Sequence, residues 1–142
     1  MTDLQLKELA RRYEIDARVL LQARRWSSSY YLAGYAVECA LKARIAAFMK
    51  PRSIPDKEWL HSVYTHRLKD LVAIAGLGRE LQNMRSLNAQ FRRNWDDVVV
   101  KWKSEIRYSG VSRTLAQEMF VAVADVQEGV LPWLKSHWLP QI

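Results

Sequence analysis

Apolar residues recur at helical spacing along most of the chain and are densest between residues 26 and 49. Two neighbouring rows of this segment contain Trp26, Tyr30, Ala33, Val37 and Ala40, and then Leu41, Ile45 and Phe48. A helix that is apolar on nearly every side is a buried helix, so the pattern predicts one long central helix. Gly34 lies in its middle. Since glycine costs about 1 kcal/mol relative to alanine inside a helix, we expect a compensating close helix–helix approach there.

The segments before and after the central helix predict shorter elements. Residues 4–13 predict an N-terminal helix, and Asp16 is placed to cap a second run over residues 17–23. The serines at 27–29 either break the chain or lie in the first turn of the central helix. Pro51 and Pro55 end that helix, and they predict an irregular segment as far as about His66.

The rest of the chain also has helical spacing. Apolar positions predict helices over residues 67–75, 81–91, 98–108 and 114–126. Gly76 and Gly78 should close the first of these, and a break is expected near Asn94. Gly129 and Pro132 should kink or interrupt the last helix. No convincing period-two strand is present, so the sequence predicts an all-α, up-and-down helical bundle that forms a single domain over residues 1–142.

The net charge and the cysteine content indicate what kind of partner and which cellular compartment to expect. The net charge of +7 and the pI near 9.8 fit nucleic acid or a nucleotide polyphosphate as partner, although an arginine-rich solvated surface explains them equally well. The single cysteine, Cys39, excludes an intrachain disulfide and favours a reducing, cytoplasmic location. Charged residues interrupt the N-terminus, so we expect no signal peptide. No apolar stretch is long enough to predict a membrane span.

Most standard catalytic motifs are missing, and we expect neither a metal nor a cofactor. Of the three histidines, His61 and His66 flank Tyr64. One of them could act as a general base, but a histidine that caps a helix or bonds a carbonyl is the more common case. Glu38 and Lys42 lie four apart on the central helix. They form either a structural clasp, the favoured interpretation, or one wall of a polar groove.

The segment before Gly110 offers a second set of candidates. Arg107 could hold a phosphate, and Tyr108 could stack on a base or donate a hydrogen bond. In the alternative interpretation Arg107 forms a salt bridge with Glu105 or Glu38, and Tyr108 fills the bundle.

Taken together, these segments resemble the HEPN domain, a small helical family found beside nucleotidyltransferases and in toxin, defence and RNA-processing proteins. Four stretches are similar to family segments in the family's order: residues 31–43 (YLAGYAVECALKA), 65–71 (THRLKDL), 95–108 and 115–135. The first is similar to the family's central helix, including Glu38 and Lys42. The third matches the helix that ends in Arg-Tyr, here Arg107 and Tyr108.

The resemblance implies a four- to five-helix up-and-down bundle, commonly a homodimer, with a nucleotidyltransferase on a separate chain as the natural partner. Catalytic members are metal-independent endoribonucleases marked by an arginine, four to six intervening residues and a histidine. Here the arginine positions before His61 hold Ile54, Pro55 and Asp56. Those before His66 and His137 hold no arginine either. The usual ribonuclease motif is therefore absent.

Three functional hypotheses follow. The first is a dimeric module that binds a nucleotide, RNA or a partner protein in a basic groove, with Arg107, Tyr108, Lys42, Glu38 and His66 as candidate binding residues. The second is an endoribonuclease with a rearranged site in which Arg107 and His66 act together. The third is a structural or antitoxin-like subunit whose tryptophans are buried by another chain: Trp59, Trp95, Trp133 and Trp138.

Overall fold

The computed structural model is all-helical over the residues it describes, 1–49, 54, 56–105 and 110–140, and these residues contain no strand. Within these described residues, eight α-helices follow one another: α1 (Asp3–Gln22), α2 (Trp26–Ala47), α3 (Lys57–Val63), α4 (Leu68–Ile74), α5 (Gly78–Leu87), α6 (Ala89–Arg93), α7 (Arg113–Ala124) and α8 (Val130–Ser136). A π-helical turn (Asn94–Val98) and a 3₁₀ turn (Val99–Lys101) follow α6. The predicted all-α class is confirmed.

Helix α2 is the centre of the molecule, as the hydrophobic pattern predicts. It packs against α1, α4, α7 and α8. Twelve of its residues are buried, among them Ala36, Val37 and Leu41 with no measurable exposure. The three serines lie at its start rather than in a break. One of them, Ser29, is fully buried and donates its hydroxyl to the Ala17 carbonyl at 2.7 Å, which joins α2 to α1.

Helix α1 is one continuous element, so the predicted break at Asp16 is wrong. An N-cap residue needs extended backbone, whereas Asp16 lies inside the helix. The apolar residues Leu6, Ala10 and Ala17 share a single buried face across Asp16, and packing on α2 keeps the helix intact. Helix α1 continues to Gln22, and Arg24 follows it with a positive φ of 62° that allows the Arg25 amide to reach the Leu20 carbonyl.

Gly76 closes α4 as predicted, and it does so by the same left-handed geometry. Its φ is +72°, and the amide of the next residue, Leu77, donates to the Val72 carbonyl. Gly78 does not take part in closing α4 but begins α5. Arg44 of α2 fixes this corner of the bundle by donating to the carbonyls of Ala75 and His137, at 2.8 and 2.6 Å.

Two further sequence predictions need correction. The segment between the prolines and His66 includes α3, because residues 57–63 contain neither proline nor glycine. The break expected near Asn94 is a π-turn that continues α6. There the buried Asn94 side chain donates to the Glu128 carbonyl and accepts from Gln90, and wide π-turns accommodate such inserted groups.

Candidate functional site

One face of α2 carries the site. Gly34, Glu38 and Lys42 lie at successive intervals of four residues, so they align on the same side of the helix. Gly34 contacts the indole of Trp102, Glu38 contacts the imidazole of His66, and Lys42 contacts the carboxylate of Glu38.

Gly34 provides the seat for Trp102. A Cβ added at Gly34 would overlap three atoms of the indole ring, Cδ1, Nε1 and Cε2, which therefore lies flat against the helix backbone. The close approach expected at Gly34 is present, but its partner is an aromatic ring rather than another helix. Trp102 is 2% exposed, and its Nε1–H has no hydrogen-bond partner among the residues described.

Glu38 is a buried carboxylate with two partners. Its Oε2 accepts from the Lys42 ammonium at 3.3 Å, and its Oε1 lies 2.8 Å from Nδ1 of His66. The Glu38 side chain is 2% exposed, whereas that of His66 is 55% exposed. One connected cluster thus contains three of the candidate residues, Glu38, Lys42 and His66. Both Lys42 and His66 bond to Glu38, which is the acceptor.

This contact fixes how the imidazole is presented. A carboxylate only accepts hydrogen bonds, so Nδ1 of His66 carries the hydrogen that bonds Glu38. In the neutral ring, Nε2 then holds the free lone pair. His66 is therefore held in one tautomer and can accept a hydrogen bond or a proton at Nε2.

The charge of Glu38 also acts on its neighbour Cys39. Burial of the thiol, followed by the negative charge of Glu38, raises the pKa of Cys39 to about 12, while Lys42 acts in the opposite direction. A thiol with so high a pKa is protonated near neutral pH, and the thiolate is the reactive form. Cys39 is 2% exposed and belongs to the hydrophobic core.

An open groove of about 710 Å³ lies next to the cluster. The chain lines it with residues 64–70, which lead from α3 into α4, and with residues near the 3₁₀ turn. The cationic side chains of the lining are Arg67, Lys69 and Lys103, all exposed, and the acidic ones are Asp70 and Glu105. Trp102 and His66 also line the groove, so it connects directly to the face of α2.

The groove contains some of the predicted residues and not others. His66 lines it, while Glu38 and Lys42 lie behind His66 and are not part of the lining. Arg107 and Tyr108 lie outside the described residues. Arg67, Lys69 and Trp102 were not predicted as site residues. The basic composition of the chain does not distinguish Arg67 and Lys69 from its other cations. Gly34 predicts close packing but does not show that Trp102 is its partner.

The tryptophans proposed as a surface for another chain are mostly used within this one. Trp95 is 4% exposed and belongs to the core. Trp133 packs edge-on against Phe91. Trp138 donates its indole N–H to the Ala40 carbonyl at 3.0 Å. The side chain of Trp59 lies outside what the structure describes.

Searches against protein-family profiles, curated proteins and solved structures found no match to this chain. Within the described residues, no group of three or more His, Cys, Asp or Glu side chains could hold a metal ion. The helices there also include none with the length and apolar character needed to cross a bilayer.

Proposed function

We propose that this protein is a nucleotide- or RNA-binding module whose ligand lies in the groove beside His66. The observation that carries the proposal is the combination of an open groove, three exposed cationic side chains and an imidazole oriented by a buried carboxylate. Exposed lysine and arginine side chains in a concave surface attract phosphates at long range and contact them directly.

The composition of the groove supports a phosphate-bearing ligand over an uncharged one. Arg67 offers a planar fork of donors to phosphate oxygens, and Lys69 and Lys103 add point charges. The buried cluster behind His66 adds no unpaired charge, because Glu38 is matched by Lys42. The described lining carries three cations against the two carboxylates of Asp70 and Glu105, so its formal net charge is +1, which favours an anionic ligand.

Within this proposal we interpret the fold as a HEPN-like bundle of four to five principal helices that acts as a homodimer with a nucleotidyltransferase or toxin–antitoxin partner. The support is the resemblance of the sequence segments, together with the connection between Glu38, Lys42 and His66. Arg107 and Tyr108 stay candidates for the binding surface, since they follow Glu105, a groove residue, by two and three positions.

Removing the rim cations tests the proposal. The double variant Lys69→Ala, Lys103→Ala should bind a fluorescein-labelled RNA decamer at least tenfold more weakly at about 50 mM salt, because two phosphate contacts are lost. Its plot of log K against log salt should be less steep by about 1.4, near 0.7 for each lost contact. Fluorescence anisotropy measures both quantities.

The matched control is Arg79→Ala, which removes an exposed cation of α5 that is not part of the groove. It should leave affinity and salt slope unchanged to within about twofold. The proposal is wrong if the wild-type protein binds no RNA or nucleotide at low salt, or if Arg79→Ala weakens binding as much as the double variant does.

The Glu38–His66 contact favours a second candidate function, metal-independent RNA cleavage. Nε2 of His66 would take the proton of a ribose 2′-hydroxyl, and the 2′-oxygen would attack the adjacent phosphorus. The bond from phosphorus to the 5′-oxygen then breaks, and that oxygen takes a proton from water. The products are a 2′,3′-cyclic phosphate and a 5′-hydroxyl end.

Cleavage of RNA in EDTA, followed by gel electrophoresis, decides this second candidate. His66→Ala should abolish cleavage while leaving the helical circular dichroism intact, because more than half of the side chain is exposed. Arg79→Ala, at an exposed position outside the groove, is again the control and should cleave normally. If no cleavage develops in EDTA over a long incubation, or if His66→Ala cleaves as well as the wild type, the second candidate is excluded.

A further inference from the structure

A second cavity lies next to the groove, and Tyr64 stands between the two. The smaller cavity measures about 410 Å³ and is lined by His61, Ser62, Tyr64, Thr65, Asp70 and Ile74. Three of these residues, Tyr64, Thr65 and Asp70, also line the larger groove. They therefore form the boundary between two neighbouring depressions on one surface.

Tyr64 is exposed to an unusual degree for an aromatic residue. Its exposed fraction is 71%, whereas the other tyrosines of known burial are buried or half-buried. It follows α3 directly, where its amide donates to the His61 carbonyl at 3.2 Å. An exposed ring that lines both cavities can contact a ligand in either of them.

The two cavities differ in charge. The cationic side chains Arg67, Lys69 and Lys103 all belong to the larger groove. Among the described residues, the lining of the smaller cavity includes neither lysine nor arginine and is neutral apart from Asp70 and His61. The larger groove therefore fits a phosphate, and the smaller cavity fits an uncharged ring with hydrogen-bonding edges.

We propose that the ligand is a single-stranded oligonucleotide of at least two nucleotides, with Tyr64 stacked between two successive bases and the phosphate joining them in the larger groove. This inference rests on the proposed function and specifies its ligand. Aromatic rings stack on any base, so Tyr64 contributes affinity with little sequence preference. A mononucleotide fills one cavity and uses at most one face of the ring.

A competition series tests the inference. Unlabelled UMP, UpU and tetrauridylate compete with a fluorescein-labelled decauridylate for the wild-type protein and for Tyr64→Ala and Tyr64→Phe. For the wild type, UpU should compete at concentrations at least tenfold lower than UMP. Tyr64→Ala should weaken tetrauridylate binding about tenfold or more, and Tyr64→Phe, which keeps the ring, should stay within about twofold.

The salt dependence separates stacking from charge. Tyr64→Ala should keep the wild-type slope, because the phosphate contacts are retained. Leu87→Ala, at an 85% exposed apolar position outside both cavities, is the matched control and should bind normally. Equal competition by UMP and tetrauridylate, or an unchanged affinity for Tyr64→Ala, overturns this inference while the proposed function stands. If the decamer fails to bind at low salt, the proposed function itself fails.

Discussion

Gly34→Ala should destabilise the protein by about 3 kcal/mol, near the upper end of what overpacking a core costs. The added methyl group would overlap the Trp102 ring at three atoms, and the ring is 2% exposed, so it has no solvent to move into. Differential scanning calorimetry or urea unfolding measures the loss. We expect a fall in the melting temperature of about 10 °C for a chain of this length.

Two controls show that the indole ring is the cause. Gly78→Ala adds the same methyl group where nothing lies within 4 Å, and it should be neutral or stabilising by up to about 1 kcal/mol. The double variant Gly34→Ala, Trp102→Leu should lose less stability than the sum of the two single variants, because each change relieves the other. A Gly34→Ala protein as stable as Gly78→Ala contradicts the described packing.

Glu38→Ala should cost about 3 kcal/mol, since it leaves the ammonium of Lys42 without its partner in a largely buried position. The Lys42 side chain is 18% exposed and can reach water only in part. The variant also removes the acceptor that orients His66, so binding in the groove should weaken together with stability. Urea unfolding and RNA anisotropy on the same preparation measure the two effects.

A matched double variant separates stability from function. Glu38→Met, Lys42→Met replaces the pair by apolar groups of similar volume and should recover most of the lost stability. It cannot recover the hydrogen bond to His66, so ligand binding should stay impaired. Glu118→Ala, at an exposed position of α7, should change stability by less than about 0.5 kcal/mol. If the double variant binds RNA normally, Glu38 acts only as a structural clasp.

The central helix was the most predictable part of the fold. Its apolar pattern places it between residues 26 and 49, and α2 spans Trp26–Ala47. The three residues that interrupt the pattern on one face, Gly34, Glu38 and Lys42, are those that form the base of the site. Positions that break a buried pattern at helical spacing are therefore informative, because each one requires a compensating partner elsewhere in the molecule.

The partners could not be predicted in the same way. The indole that packs on Gly34 is separated from it by 68 positions, and nothing at Trp102 distinguishes it from the other five tryptophans. The contact between Glu38 and His66 is likewise non-local and depends on how α4 packs on α2. Local periodicity determines which face of a helix is buried, whereas tertiary packing determines what covers it.

Short elements were the least predictable. Helix α3 has seven residues and follows two prolines, so its sequence signal is weak. At the π-turn, Asn94 accepts a hydrogen bond from Gln90 and donates one to the carbonyl of Glu128, and Glu128 lies beyond any local window. Asp16 shows the opposite failure: a residue with a good capping side chain lies within a helix because packing on α2 outweighs its local preference.

The central claim is that the groove beside His66 binds a phosphate-bearing ligand. The most direct test is an NMR titration of ¹⁵N-labelled protein with tetrauridylate at about 50 mM salt, in which amide, histidine and indole resonances are monitored. We expect chemical-shift changes concentrated at Tyr64, His66, Lys103 and the indole N–H of Trp102, and added salt should weaken all of them. An absence of shifts, or shifts confined to residues distant from the groove, would contradict it.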